Sequence, residues 1–171
     1  MEKSSKNIIE FTLIYNRTKS RLYFYVLKMV FDKMMTEDII QNVYLKFFEN
    51  MDLLRNKEFA TTWLYSTARN EVFDYLRKKK IRKTEIISDE EEDVVSPLDV
   101  DIEYERIELR SLIMKELDKL PEEQREVYLL KEYSGLKYEE IASMQKIDVE
   151  LVKSRLFKTR QKLIKRISKL V

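Results

Sequence analysis

A single glycine, Gly135, stands in a chain of 171 residues, where average usage of about 7% would supply roughly 12. Primed hairpin turns and sharp sheet corners need residues at positive φ, and glycine goes there without steric cost. An all-β or doubly wound fold is therefore hard to assemble from this sequence. The two prolines, Pro97 and Pro121, leave long stretches without a helix breaker. The expectation is an all-α protein, with long helices joined by short polar turns.

Charge divides the chain more informatively than its net value of +2. Residues 84–105 hold ten acids and no Lys or Arg, so this stretch carries −10 and everything else +12. Such asymmetry points to an anionic partner for the rest of the chain, although an acidic tether between solvated domains would share it. Pro97 interrupts any helix there, and like-charge repulsion favours an extended chain. Three segments are expected: a helical domain over 1–83, an acidic linker over 84–105, and a second helical domain over 106–171. The second reads as a helix-turn-helix, a winged-helix-like domain of three to four helices.

Cysteine and histidine are both absent, which removes disulfides, thiolate nucleophiles, imidazole bases and the usual zinc sites. No metal, cofactor or catalytic residue is expected. The opening Met1-Glu2-Lys3-Ser4-Ser5 is too polar for a signal peptide, and the longest apolar run, Leu22 to Leu27, is too short to span a bilayer. The expected location is the cytoplasm, without membrane insertion.

In the first domain Thr36 suits a helix N-cap, with Glu37 and Asp38 following where the dipole favours acids. Helical spacing gathers Ile40, Val43, Tyr44, Phe47 and Met51 on one face. Asp38, Asn42, Leu45 and Glu49 then face outward, with Gln41 at the flank. An exposed Leu45 among polar neighbours hints at a protein contact. A further helix is expected from about Phe59, with Leu64, Ala68, Val72, Tyr75 and Leu76 inward and Trp63, Ser66, Asn70 and Arg77 outward. It ends in Arg77-Lys78-Lys79-Lys80-Ile81-Arg82-Lys83, six bases with no acid. A basic helix end complements the dipole, so this run could simply be a solvated terminus. Beside an outward Trp63 it also suits a surface that grips phosphates and stacks unpaired bases.

In the second domain Pro121 suits the first position of a helix running to Tyr133, and Gly135 suits the left-handed residue beyond its end. A short helix with Ala142 inside, a turn over Gln145-Lys146-Ile147, and a last helix opened by Asp148 complete the helix-turn-helix. Val152, Leu156, Leu163, Ile167 and Leu170 share one face of that helix. Glu150, Ser154, Phe157, Lys158, Gln161 and Lys165 share the other. From Lys153 to the end there are eight bases, Arg155 and Lys162 among them, and no acid. So many like charges on one helix repel unless an anionic surface lies against them. An exposed aromatic such as Phe157 could meet a thymine methyl in the major groove of DNA.

These segments together resemble a bacterial sigma factor of the extracytoplasmic-function (ECF) group. Met35 through Glu49 is similar to the family's segment that docks on the β′ clamp helices of RNA polymerase. Phe59 through Lys79 is similar to the helix that melts and holds the −10 element. Leu120-Pro121 through the last helix, above all Val152 through Arg160, is similar to the domain that reads the −35 element. The resemblance implies promoter-directed initiation with core RNA polymerase, contacted at its β′ clamp helices and β flap, and an anti-sigma partner. It implies polymerase contacts at Asp38, Gln41, Asn42 and Leu45. It implies −10 contacts at Arg55, Asn56, Lys57, Trp63, Ser66, Asn70, Arg77 and Lys78. It implies −35 contacts at Glu150, Lys153, Ser154, Arg155, Phe157, Lys158, Gln161 and Lys162. The acidic linker would lie in the polymerase channels, where it mimics nucleic acid. Thr36 departs from the family's usual alanine at that place. The main alternative is a stand-alone helix-turn-helix regulator. A protein-only helical adaptor would leave the basic run and Phe157 unexplained, and an enzyme would lack candidate groups.

Overall fold

The structure, a computed structural model, describes residues 2–54, 56–85 and 104–170. Arg55 and most of the expected linker, residues 86–103, lie outside the described residues, as does the side chain of Lys57. Among the described residues there is no strand. The chain divides into two compact units, residues 1–92 and 93–171.

The first unit packs three helices against one another: α1 (Glu2–Val30), α2 (Lys33–Asn50) and α3 (Ala60–Glu85). Two single 3-10 turns, Met51–Leu53 and Lys57–Phe59, lead from α2 to α3. Residues 84–85, the first of the expected linker, continue α3 as helix. Leu22, Val26 and Met29 of α1 are fully buried at helical spacing, as are Val43 of α2 and Leu64, Ala68 and Val72 of α3. Each large aliphatic side chain so buried contributes about 1.5–3 kcal/mol. A train of aromatic rings extends the core, from Phe11 against Phe48 (5.3 Å) to Tyr15 against Tyr44 (4.7 Å). The Thr18 and Tyr44 hydroxyls share a buried hydrogen bond of 2.7 Å.

The α1–α2 corner corrects one expectation. Phe31 takes φ 56° after α1, and the chain re-enters helix with Asp32 as the N-cap, its carboxylate accepting from the Met35 N–H at 2.9 Å. Thr36 is not the cap. It is wholly buried one turn inside the helix, and its hydroxyl donates to the Asp32 carbonyl at 2.7 Å. The corner places the helix start, and a good capping residue further on is bypassed. The earlier start goes with a shifted face. Ile39, Val43 and Phe47 are buried four apart, while Ile40 is only half-buried.

The second unit comprises α4 (Tyr104–Asp118), α5 (Glu122–Tyr128), a π turn (Leu129–Tyr133), α6 (Tyr138–Gln145) and α7 (Val149–Ile167). Residues 104–105, the other end of the expected linker, are helical. α7 packs on α4, α5 and α6, so every other helix of the unit supports it. Pro121 precedes α5 as its N-cap, one place earlier than expected, because its ψ of 147° is not helical. Its carbonyl accepts from the N–H groups of Gln124 and Arg125. The buried Arg125 donates to the carbonyls of Asp118 and Leu120, each at 3.2 Å, and so ties the α4–α5 corner.

The helix does reach Tyr133, but as a π turn in which the Ser134 N–H bonds to the Leu129 carbonyl. Gly135 then takes φ 71°, as its position suggests. Lys146 closes α6 at φ 55°. Asp148 stands at the start of α7 but makes no side-chain capping bond. Its carbonyl accepts from Leu151 and Val152. On α7 Val152, Leu156 and Leu163 are buried and Ile167 is half-buried. Leu170 is exposed, since α7 ends at Ile167 and the helical register ends with it. Thr159 fills the place between Leu156 and Leu163, its hydroxyl satisfied by the Arg155 carbonyl at 2.8 Å.

Candidate nucleic-acid interface

The outer face of α7 is built by default. Once Val152, Leu156, Thr159 and Leu163 face the unit's core, a period of about 100° per residue turns Glu150, Ser154, Phe157, Lys158, Gln161 and Lys165 to solvent, and all six are exposed. Phe157 is 62% exposed, a large hydrophobic at the centre of a polar stripe. Its neighbours Ser154 and Lys158 supply a hydroxyl and an ammonium, which can reach base edges and phosphates respectively. Ile164, two turns beyond Phe157, is also exposed and was not among the expected site residues.

Several other bases of α7 already have partners. Lys153 pairs with Glu150 at 3.0 Å, and that hydrogen bond raises the lysine's pKa. Arg155 pairs with Glu123 of α5 at 3.2 Å, and Lys162 donates to the Gln124 side chain at 3.0 Å. Lys153 also lies 5.9 Å from the Tyr138 ring, with Lys131 at 4.4 Å. Glu123 and Gln124 lie far from Arg155 and Lys162 in sequence, so no local pattern announces them.

In the first unit Asp38, Gln41, Asn42 and Leu45 are all exposed along α2, Leu45 at 58%. Asp38 and Asn42 line a cleft of ≈ 620 Å³ with Asp32, Tyr75, Lys78 and Arg82. Asp38 and the N-cap Asp32 thus share one groove with Lys78, Lys79 and Arg82 of α3, and Glu71 and Asp74 of α3 line it too. Asn56 is exposed, its side-chain oxygen accepting from the Glu58 N–H at 3.0 Å. Asn70, Arg77 and Lys78 are exposed and Ser66 is half-buried. Arg77 pairs with Asp74. Trp63 departs from the expected outward position. It is half-buried, its ring 5.7 Å from that of Phe47. Phe59, four residues earlier and 61% exposed, is the open aromatic at this end of α3. A spacing of four to Trp63 was the signal that could have found it.

Among the described residues no group of His, Cys, Asp and Glu could hold a metal ion. Nor is any helix among them long and apolar enough to cross a membrane.

Two family models match the chain in this order: sigma-70 region 2 over residues 14–81 and sigma-70 region 4 over residues 110–163. The ECF RNA polymerase sigma-E factor of Escherichia coli (strain K12) is 29% identical over 142 residues, spanning 78% of this chain and 74% of that protein. The RNA polymerase sigma-H factor of Pseudomonas aeruginosa is 24% identical over 94% of this chain and 88% of its own length. Among solved structures, the sigma factor RpoE of Bartonella quintana, in complex with the anti-sigma factor NepR, superposes with a TM-score of 0.74. It is 20% identical, with 92% of this chain and 96% of that one covered. CnrH, solved with the cytosolic domain of CnrY, superposes at 0.63 with 19% identity, over 93% of this chain and 88% of that one.

Proposed function

The chain belongs to the sigma-70 family, in its extracytoplasmic-function group, and from that premise we propose how its two units share promoter-specific transcription initiation. The first unit docks core RNA polymerase through Asp38, Gln41, Asn42 and Leu45, on the β′ clamp helices. It holds the −10 element with Asn56, Trp63, Ser66, Asn70, Arg77 and Lys78, joined by Arg55 and Lys57. The second unit reads the −35 duplex with the outer face of α7, where Ser154, Phe157 and Lys158 are central, and meets the β flap. The two domains are those expected at residues 1–83 and 106–171, each extended by two residues because α3 runs to Glu85 and α4 begins at Tyr104.

The observation that carries this reading is the exposed stripe of α7, polar and basic around an exposed Phe157, on a helix whose opposite face buries Val152, Leu156, Thr159 and Leu163. A stand-alone regulator is not favoured, because residues 14–81 match region 2 of the family. The protein acts as an initiation factor and not as an enzyme, in the cytoplasm where the polymerase works. An anti-sigma factor is its expected regulator, since the similar RpoE was solved with an anti-sigma factor and the similar CnrH with the cytosolic domain of CnrY.

Runoff transcription with core polymerase, on DNA from upstream of the protein's own gene and of its neighbours, tests the reading. A discrete transcript that depends on this protein is the expected result. A salt-sensitive shift of duplex DNA by the protein alone, with no dependent transcript on any template, would overturn it.

A further inference from the structure

The bases of α7 sort by chemistry. All three arginines meet acids from other elements of the unit. Arg155 pairs with Glu123 of α5 at 3.2 Å, Arg166 with Glu116 of α4 at 3.7 Å, and Arg160 with Glu132 of the π turn. The lysines differ. Lys153 pairs within its own helix, Lys162 meets the neutral Gln124, and Lys158 and Lys165 have no acid partner among the described residues.

Arg160 makes the best-defined of these contacts. Its Nε, at 3.1 Å, and its Nη2 both donate to one oxygen of Glu132, and the bond raises the arginine's pKa. Two donors from a rigid fork fix direction as well as distance, which a lysine's single flexible ammonium cannot do. The acid is equally constrained. A π turn inserts one residue, rotating the residues beyond it by about 100° relative to an uninterrupted helix. Glu132 sits inside that turn, between Leu130, which is wholly buried, and Tyr133, whose ring lies 5.5 Å from the Arg110 guanidinium and 6.2 Å from the Tyr128 ring. The backbone irregularity thus presents a carboxylate to α7 from an anchored position.

We propose that Arg160, held by Glu132, is a positioning residue for promoter recognition: the pair fixes the final rotation of α7 within the range its buried face leaves, so that Ser154, Phe157 and Lys158 enter the major groove, and Arg160 itself makes no phosphate contact. This rests on the promoter-reading role proposed for α7. Arg160 stands three residues from Phe157, about 60° round the helix from it, close enough for a small roll of α7 to withdraw the reading face. The pair is partly exposed, Arg160 at 46% and Glu132 at 33%, so its part in folding stability is small. Its effect lies in orientation.

The test is promoter binding by the full chain assembled with core polymerase, measured across a range of salt for a set of variants. Lys158→Ala is the control for a phosphate contact, and should lower the slope of log affinity against log salt by about one. Arg160→Ala should weaken binding by up to about fivefold, the most an exposed pair supplies, and leave that slope unchanged. Arg160→Lys, which keeps the charge but loses the fork, should also bind less well than the unaltered chain. Arg160→Glu combined with Glu132→Arg should recover binding to within about threefold, although it places an acid near the DNA. Helical circular dichroism on each variant separates loss of fold from loss of orientation.

A slope lowered by about one in Arg160→Ala would overturn the proposal. So would full affinity in Arg160→Ala or in Arg160→Lys, or a paired exchange that binds no better than Arg160→Glu alone. If the unaltered chain and core form no promoter complex, the promoter-reading role itself falls, and the positioning role of the Arg160–Glu132 pair falls with it.

Discussion

Three residues of the described chain lie at positive φ: Phe31 at 56°, Gly135 at 71° and Lys146 at 55°. Only the glycine is there without steric cost, so substitutions at these positions should have opposite signs. Gly135→Ala should destabilise the second unit by about 1–2 kcal/mol, and the exposed Lys146→Gly should stabilise it by up to about 1 kcal/mol. Urea unfolding followed by helical dichroism checks both, and a destabilised Lys146→Gly would mean that its side chain does more than cross the turn. Gly135 was legible in the sequence because the residue type states the backbone need. Lys146 was not, since the helix-turn-helix turn imposes a conformation for which lysine has no preference. Tyr44 gives a second prediction at this scale. Burial first of all pushes its pKa up to about 12 from an ordinary 10, while the Thr18 hydroxyl opposes the shift. A folded-state pKa raised in this way leaves stability intact below pH 10 and erodes it as the pH climbs from about 10 towards 12, because the unfolded chain loses its proton first. The loss should amount to about 2–3 kcal/mol for this one side chain. Tyr44→Phe should flatten that part of the stability–pH curve, and an unchanged curve would show that other groups govern alkaline unfolding.

Among the elements, α2 shows how tertiary structure overrules a good local signal. Thr36, followed by two acids, reads as a cap, yet the Phe31 corner puts Asp32 in that role. Asp32→Ala should therefore cost about 1–2 kcal/mol, whereas Thr36→Val, which keeps the shape and loses only a local hydroxyl bond, should change stability by less than about 1 kcal/mol. The reverse order in thermal unfolding would restore Thr36 as the cap. The exposed side of α2 belongs to the docking proposal. Asp38→Arg together with Gln41→Ala should abolish co-purification with core polymerase and leave the helical spectrum intact. Retained co-purification would move the docking surface elsewhere. The outer stripe of α7 was the most legible part of the site, because a clean division of apolar and polar residues at helical spacing fixes which side chains meet solvent. What remained hidden were partners far away in sequence. Glu123 lies 32 positions before Arg155 and Glu132 lies 28 before Arg160, and only the packing of α5 and its π turn on α7 brings them together. Trp63 was misplaced for a similar reason. Its place on the helix wheel was outward, but Phe47 of α2 covers it.

At the scale of the whole molecule, the two-domain plan was readable from composition, because an acidic stretch with no base separates two blocks of helical periodicity. Residues 86–103, outside the described structure, hold eight of those acids. Whether their charge or their continuity matters more can be decided. If each unit binds one promoter element and the polymerase, the covalent join turns the second binding event into an intramolecular one. Its effective concentration is then set by the length of the connection, and avidity can exceed either single affinity by about 10²–10⁴-fold. Residues 1–92 and 93–171 supplied as separate chains, each checked for helical content, should therefore support promoter binding with core polymerase at least about 100-fold more weakly than the intact chain. Replacing the 18 residues 86–103 with a Gly/Ser chain of equal length keeps the join and removes the charge. If continuity is what counts, this variant should bind the promoter within about threefold of the natural chain. Binding as poor as that of the mixed fragments would mean that the acids make contacts on which the complex depends, as a chain that mimics nucleic acid within the polymerase would. Runoff transcription from the same variant separates the two remaining steps. With binding restored, a transcript at the natural level leaves the acids without a role in initiation, whereas a lowered one assigns them a role after the promoter is bound.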